Sequence, residues 1–285
     1  MTRLTTDLIE EVPFALGCRD DDLMAKAGLS LKGLALRAIG ATDEDLDLRS
    51  VHAAAVPVTS GKGIIRTFSD SVCAITQHMG MDSIVTRKPD VAGLAEAVAG
   101  GADIVFMADD EEFIALNLRS GGYVDNVRST ALGYCTALDA AMGGVSGREV
   151  LVIGAGRVGS YAIGLLRSRG AKVSLLEKDM NRAIWAKEHF GVSLVHNAET
   201  GLRQAKAILN ASPAVIPGGS ISHGVVISSP GVPYGFDAEA ERRAKVIIHD
   251  PLQIGVAVMA AWSASLSHPA IPCTMAVGEA VEALE

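Results

Sequence analysis

Six residues in the second half of the chain, Gly154-Ala155-Gly156-Arg157-Val158-Gly159, have the types and spacing to hold a diphosphate. In such a turn the first glycine allows a tight bend and the second lets the backbone approach the pyrophosphate. The third lets the following helix close on the strand. The context is the required one. Residues 149–153 read as a buried parallel strand, and a helical pattern follows through Leu166, aiming its N-terminal N–H groups at the phosphates. The next strand ends in Glu177, about 20 residues after the turn, where a carboxylate accepts hydrogen bonds from the adenosine ribose diol and repels a 2′-phosphate. NAD is therefore expected over NADP, with Lys178 and Arg182 nearby weighing the other way. Related turns bind S-adenosylmethionine and FAD, but later strand ends favour a dehydrogenase. Asn210-Ala211-Ser212-Pro213 and Ser229-Pro230-Gly231 each interrupt the chain just past a strand. Small residues there leave room for ribose and nicotinamide, although ordinary Pro/Gly turns have the same composition. Ser212, Pro213, Ser229, Pro230 and Gly231 join the cofactor candidates.

The first half offers chemistry for a substrate. Ser60 and Gly61 lie in a strand-to-helix turn, 58–63, that lacks P-loop order but has a hydroxyl and backbone donors to offer a carboxylate. Four carboxylates, Asp109, Asp110, Glu111 and Glu112, follow a strand directly. The last three read as the acidic first turn of a helix starting near Phe113. Asp109, first off the strand, suits a cationic, amine-bearing substrate. Asn126 opens a long helix and is either its N-cap or a substrate ligand. No His is clearly placed as a catalytic base; His223 and His249 are candidates near the cofactor, and a structural imidazole is the better reading of each. The catalytic proton acceptor is unassigned.

These residues require a particular set of elements. Residues 1 to about 50 read as helices, with apolar spacing from Leu23 to Ile39. Strands at 52–58, 83–86 and 103–107 then alternate with helices. One of these carries Phe68, Val72, Ile75 and Met79 on one face, and the pattern implies a small, largely parallel sheet. The glycine-rich 143–147 marks a boundary between domains 1–145 and 146–285. Six strands follow, at 149–153, 172–176, 192–195, 207–210, 225–228 and 246–249, as a doubly wound sheet requires. The last helix, about 255–266, is apolar all round, so it is expected to be buried, with a return to the first domain and a homodimer both compatible with it. A loose tail is expected beyond Ser267. The fold class is thus α/β: a C-terminal Rossmann doubly wound parallel sheet plus a smaller N-terminal α/β domain preceded by helices.

Bulk properties narrow the function classes. The 285 residues are 49% hydrophobic and 4% aromatic, with a formal net charge of -8. An acidic, aromatic-poor chain is a poor partner for nucleic acid. No stretch approaches the roughly 18 apolar residues of a membrane span, and the acidic start, 1–16, is no signal peptide. Cys18, Cys73, Cys135 and Cys273 form no C-x-x-C pair, which points to reduced thiols in the cytoplasm. The seven His residues lack ligand spacing, so no metal is expected.

Four segments, VPVTSGKGIIRTFSDSV, MADDEEFIALNLRSGGYVDN, EVLVIGAGRVG and SSPGVP, resemble the pyrrolysine synthase family of PylD-type dehydrogenases. The first two are the specific ones, and the match runs from about Val56 to Met259. The resemblance implies NAD-dependent oxidation of the terminal amine of 3-methylornithyl-N6-lysine, followed by closure of the pyrroline ring of pyrrolysine. It implies that Asp109 and Asn126 anchor the ornithine end and that Ser60 with Gly61 belongs to the substrate loop. Leu4 would then lie on a helix that closes over the site. Lys62 receives no role. Two other readings stay open: another NAD-dependent dehydrogenase of an amino-acid-like substrate, and a non-catalytic NADH-sensing module.

Overall fold

The computed structural model of the chain describes residues 4–65 and 67–268. They fall into two units, one of residues 4–22, 29–129 and 251–268, the other of residues 23–28 and 130–250. The changeover at the bridging helix comes after Ser129, upstream of the glycine-rich 143–147.

The chain opens with α1 (Thr6–Ile9), α2 (Leu16–Ala27) and α3 (Leu31–Ile39). The apolar pattern from Leu23 to Ile39 is thus two helices. Gly28 takes φ +69°, and the Ser30 Oγ accepts the Gly33 N–H at 3.1 Å to cap α3. A left-handed residue followed by a cap breaks the helix.

In the first unit β1 (His52–Val56), α4 (Phe68–His78), β2 (Asp82–Val85), α5 (Asp90–Ala99) and β3 (Ile104–Ala108) alternate, and their strands are parallel. The alternation stops there. Phe113 starts no helix; it starts strand β4 (Phe113–Asn117), antiparallel to β3, and β5 (Tyr123–Asp125) is antiparallel to β4. Phe113, Ala115 and Asn117 are buried while Ile114 and Leu116 are partly exposed, and that period of two selects a strand over a helix. The sheet is therefore mixed and five-stranded, in the order β2-β1-β3-β4-β5. The largely parallel three-stranded sheet expected from the sequence omits the hairpin. Ala54, Val56 and Val105 pack with Ala97 of α5 in a buried cluster.

Helix α6 (Asn126–Met142) leads into the second unit. There β6 (Glu149–Ile153), α7 (Arg157–Ser168), β7 (Lys172–Leu176), α8 (Met180–Phe190), β8 (Ser193–Leu194), α9 (Ala198–Gln204), β9 (Ala207–Asn210), β10 (Val226–Ser228), α10 (Ala238–Arg243) and β11 (Val246–Ile248) follow. All six strands are parallel, in the order β11-β10-β9-β6-β7-β8. Counted from β6, this is the doubly wound dinucleotide-binding order, which reverses direction between β6 and β9. Buried Tyr134 of α6 ties this sheet together. Its hydroxyl donates to the Asp250 carbonyl at 2.7 Å, and Ser228 Oγ donates to the Tyr134 carbonyl at 2.7 Å.

The last helix, α11 (Gln253–Ser265), is buried at every residue and packs on α3, α4 and β4 of the first unit. A helix apolar all round needs neighbours all round. Buried Asn117 fastens its end: Asn117 Nδ2 donates to the Ser263 carbonyl at 2.7 Å, and Asn117 Oδ1 accepts the Arg119 and Ser120 N–H groups at 2.9 and 2.8 Å. Among the described residues no helix is long and apolar enough to cross a membrane. Cys18, Cys73 and Cys135 are free thiols, and burial pushes Cys73 up to about 11. Cys273 and most of the expected loose tail lie outside the described residues.

Replacing Asn117 by Ala leaves the Arg119 and Ser120 N–H groups without their acceptor and takes from the Ser263 carbonyl one of its two donors, the other being the Leu266 N–H. A loss of about 2–4 kcal/mol is expected, seen as a fall in Tm of roughly 5–10 °C in thermal unfolding followed by circular dichroism. A Tm equal to the parent's would show that Asn117 does not fasten α11.

Candidate active site

The glycine turn of the second unit is shaped by close backbone approaches. Gly154 takes φ +91°, and a Cβ there would press on the Ala211 carbonyl at 3.1 Å. A Cβ on Gly159 would overlap the Gly154 carbonyl, so α7 can lie against the end of β6 only with glycine at 159. Gly156 differs: nothing lies within 4 Å of a Cβ built on it. It also stands at the N-cap of α7 without a side-chain cap. Open space beside an uncapped helix N-terminus fits a phosphate. Arg157 is exposed, Val158 half-buried and Ala155 buried. Glu177, at the end of β7, accepts the Ala155 N–H at 2.5 Å and the Asp179 N–H at 2.8 Å. Its carboxylate therefore stands directly beside the turn.

The strand-end loops after β9 and β10 interlock. Buried Asn210, the last residue of β9, which the sequence reading sets at the strand end without choosing it as a site residue, organises them. Its Oδ1 accepts the Ser212 hydroxyl at 2.7 Å, its Nδ2 donates to Ser229 Oγ at 3.3 Å, and its carbonyl accepts the Gly231 N–H at 3.0 Å. A Cβ on Gly231 would overlap the Ser212 carbonyl. Pro213 is exposed and Pro230 half-buried. His249 follows β11 at this same carboxyl edge, its Nδ1 2.8 Å from the Ser229 carbonyl and its ring 5.1 Å from that of Tyr234. Burial and the hydrogen bond to Glu241 hold the Tyr234 phenol well above its usual range. His223, by contrast, precedes β10 and so lies at the opposite edge from the glycine turn.

In the first unit the substrate candidates gather at one sheet edge. Strands β1 and β3 are parallel, and β5 is antiparallel to the antiparallel β4, so all three end at the same edge. Ser60 and Gly61 follow β1, Asp109 and Asp110 follow β3, and Asn126 follows β5. Phe68 and Phe113 meet edge to face at 5.1 Å at the same end. Ser71, near the start of α4, donates to the Ile9 carbonyl at 3.2 Å, so α1 lies at that end too; half-buried Leu4, expected on a helix, precedes α1, which begins only at Thr6 after Thr5.

Each of these residues has its own local partners. Exposed Asp109 closes the β3–β4 turn, its Oδ1 accepting the Glu111 and Glu112 N–H groups at 2.8 Å each. Asp110 reaches the turn after β1 instead and accepts the Lys62 N–H at 2.7 Å. Asn126 is not the N-cap of α6; Asp125 is, its Oδ1 accepting the Arg128 N–H at 2.9 Å. Asp90 accepts the Thr59 hydroxyl and N–H, and those bonds hold its carboxyl below the usual range. Among the described residues no group of three or more His, Cys, Asp or Glu is placed to hold a metal ion.

Known proteins match this arrangement over most of its length. The family described as "Pyrrolysine biosynthesis protein PylD, N-terminal domain" matches residues 9–124, and "Alanine dehydrogenase/PNT, C-terminal domain" matches residues 126–225. Pyrrolysine synthase of Methanosarcina acetivorans is 34% identical over 264 residues, 91% of this chain and 98% of that protein. That of Methanosarcina barkeri is 34% identical over 262 residues, 91% and 97% of the two chains. Among solved structures, shikimate 5-dehydrogenase from Thermus thermophilus in complex with NADP(H) and shikimate has a TM-score of 0.51 at 16% identity, over 82% of this chain and 100% of that one. Quinate dehydrogenase from Corynebacterium glutamicum in complex with NAD has a TM-score of 0.50 at 13% identity, over 77% and 94%. At these identities the structural likeness shows the fold alone, an α/β fold with a Rossmann-like parallel unit. Sequence identity across nearly the whole length shows more: the chain belongs to the pyrrolysine synthase family.

Proposed function

We propose that the protein uses NAD to oxidise the terminal amine of 3-methylornithyl-N6-lysine, and that the oxidised unit closes into the pyrroline ring of pyrrolysine. The observation that carries this reading is the gathering of Ser60, Gly61, Asp109 and Asn126 at one edge of the first sheet, in a chain whose second unit has a dinucleotide turn. Ser60, Gly61, Asp109 and Asn126 combine a hydroxyl, a close backbone, a carboxylate and an amide. That set suits a small substrate carrying both amines and carboxylates.

Gly154 to Gly159 would cradle the diphosphate and Glu177 the adenosine ribose, with the loops around Ser212-Pro213 and Ser229-Pro230-Gly231 beside the nicotinamide. NAD, when bound, supplies a two-electron oxidant for the amine-bearing carbon. That amine is protonated in water, with a pKa of about 10, so its proton must leave first. The Asp109 carboxylate, held by its turn, faces the cationic end and orients it, while Asn126 adds a neutral donor and acceptor. After oxidation, water replaces nitrogen at that carbon and ammonia leaves. The α-amine of the same unit then condenses with the aldehyde, returning the water and closing the ring. Holding the two ends of the unit together favours closure by effective molarity. The segment with Leu4 and α1 is the natural cover that excludes bulk water.

Incubated with NAD and 3-methylornithyl-N6-lysine, the protein is expected to give the absorbance of reduced nicotinamide and a product lighter by ammonia and two hydrogens. Ornithine or lysine alone should give neither, and equal rates with them would sink the assignment. Asp109→Asn keeps an oxygen for the Glu111 and Glu112 N–H groups but removes the charge. It should lower kcat/KM about 10- to 100-fold, the worth of a charge-assisted bond, while leaving Tm unchanged; an unaltered kcat/KM removes Asp109 from the site. Glu177→Ala should narrow the preference for NAD over NADP, measured as the ratio of the two kcat/KM values. A ratio that stays put would show that Glu177 does not read the ribose.

A further inference from the structure

The turn Thr59-Ser60-Gly61-Lys62 is gripped at both ends by carboxylates from distant parts of the first unit. At one end Asp90, the first residue of α5, accepts the Thr59 N–H at 2.7 Å and the Thr59 hydroxyl at 2.5 Å. Asp90 is itself fixed, at φ +53°, by donating its N–H to the Pro57 carbonyl at 2.9 Å. At the other end Asp110, 48 residues on, accepts the Lys62 N–H at 2.7 Å. Gly61 between them takes φ +66°, and a Cβ there would overlap Asp110 Oδ2. The carboxylate fills the room a side chain would need.

We propose that Asp110 is a positioning residue, a latch that holds the Ser60–Gly61 turn at the substrate edge and so sets how tightly the amine substrate binds, with Asp90 as the fixed hinge. The proposal rests on the reading of this edge as the substrate site. Its physical basis is preorganisation. A turn anchored at one end must be ordered by the substrate, whereas one anchored at both ends is ordered beforehand. The bond is charge-assisted and the acceptor side chain is short, so the latch is stiff. Asn at 110 still offers an oxygen to the Lys62 N–H; Ala offers nothing.

Two measurements on the full chain test this: the rate of tryptic cleavage after Lys62, followed by mass spectrometry, and the steady-state kinetics with 3-methylornithyl-N6-lysine. Asp110→Ala should speed the cleavage about 5-fold or more and raise KM for the dipeptide about 10-fold, with kcat and KM for NAD within about 2-fold of the parent. Asp110→Asn should bring both back close to parent values. If Asp110→Ala does not fold, Asp110→Ser, whose oxygen stands one bond short of the Lys62 N–H, should give the same pair of changes. Parent-like cleavage in Asp110→Ala overturns the latch. Faster cleavage with an unchanged KM overturns its service to substrate, and a parallel rise in KM for NAD shows a merely structural role. A parent protein that does not oxidise the dipeptide overturns the reaction, while the cleavage rates still decide the latch.

Discussion

Helix α7 begins flush against the end of β6 because residue 159 has no side chain, and much of the second unit's binding edge follows from that contact. A methyl group at 159 would overlap the Gly154 carbonyl, and relieving the overlap would push the helix away from the strand. The same edge holds two more backbone approaches of this kind, Gly154 against Ala211 and Gly231 against Ser212. Together they bring the ends of β6, β9 and β10 close, with buried Asn210 bonding across the last two. Beside Gly156 there is open space next to the start of α7, with Arg157 exposed alongside. A dinucleotide's phosphates need backbone donors and a helix terminus more than they need side chains.

The first unit shapes its edge with side-chain oxygens. Asp90 holds Thr59, Asp109 closes its own turn, Asp110 holds Lys62 and Asp125 caps α6. Short carboxylates imitate backbone acceptors one to three residues away, which is why Asp is favoured in turns and caps. A consequence is that negative charge collects where the strands end. Most of those carboxylates are engaged in holding loops.

Much of this was legible in the chain. The glycine turn carried its strand and helix with it, and the rhythm of six strands after it announced the doubly wound sheet. The hairpin β4–β5 was not legible, because the run Asp109 to Glu112 mimics the acidic first turn of a helix and outweighs the five-residue alternation that follows. Only pairing with β3 decides between them, and pairing is a tertiary fact. The candidate Asp109 was found by its place at a strand end, yet its neighbour Asp110 touches the loop that holds Ser60. Adjacent identical residues on a turn cannot be told apart by spacing. The same holds for Asp125 and Asn126, both good caps, of which the structure uses the first. Asn210 was visible as a strand-end residue, but its burial and its bonds to Ser212 and Ser229 depend on two loops meeting.

Helix α11 has a consequence for how the protein is made. The core of the first unit needs this helix against α3, α4 and β4, yet it leaves the ribosome after every strand of the second unit. At typical elongation rates of roughly 5–20 residues per second, the more than one hundred residues between Ser129 and Pro251 take several seconds or more to emerge. During that interval the nascent first unit has its sheet but lacks its last wall, leaving apolar surface of α3 and β4 within reach of chaperones. The second unit, nearly continuous in sequence, has no such wait.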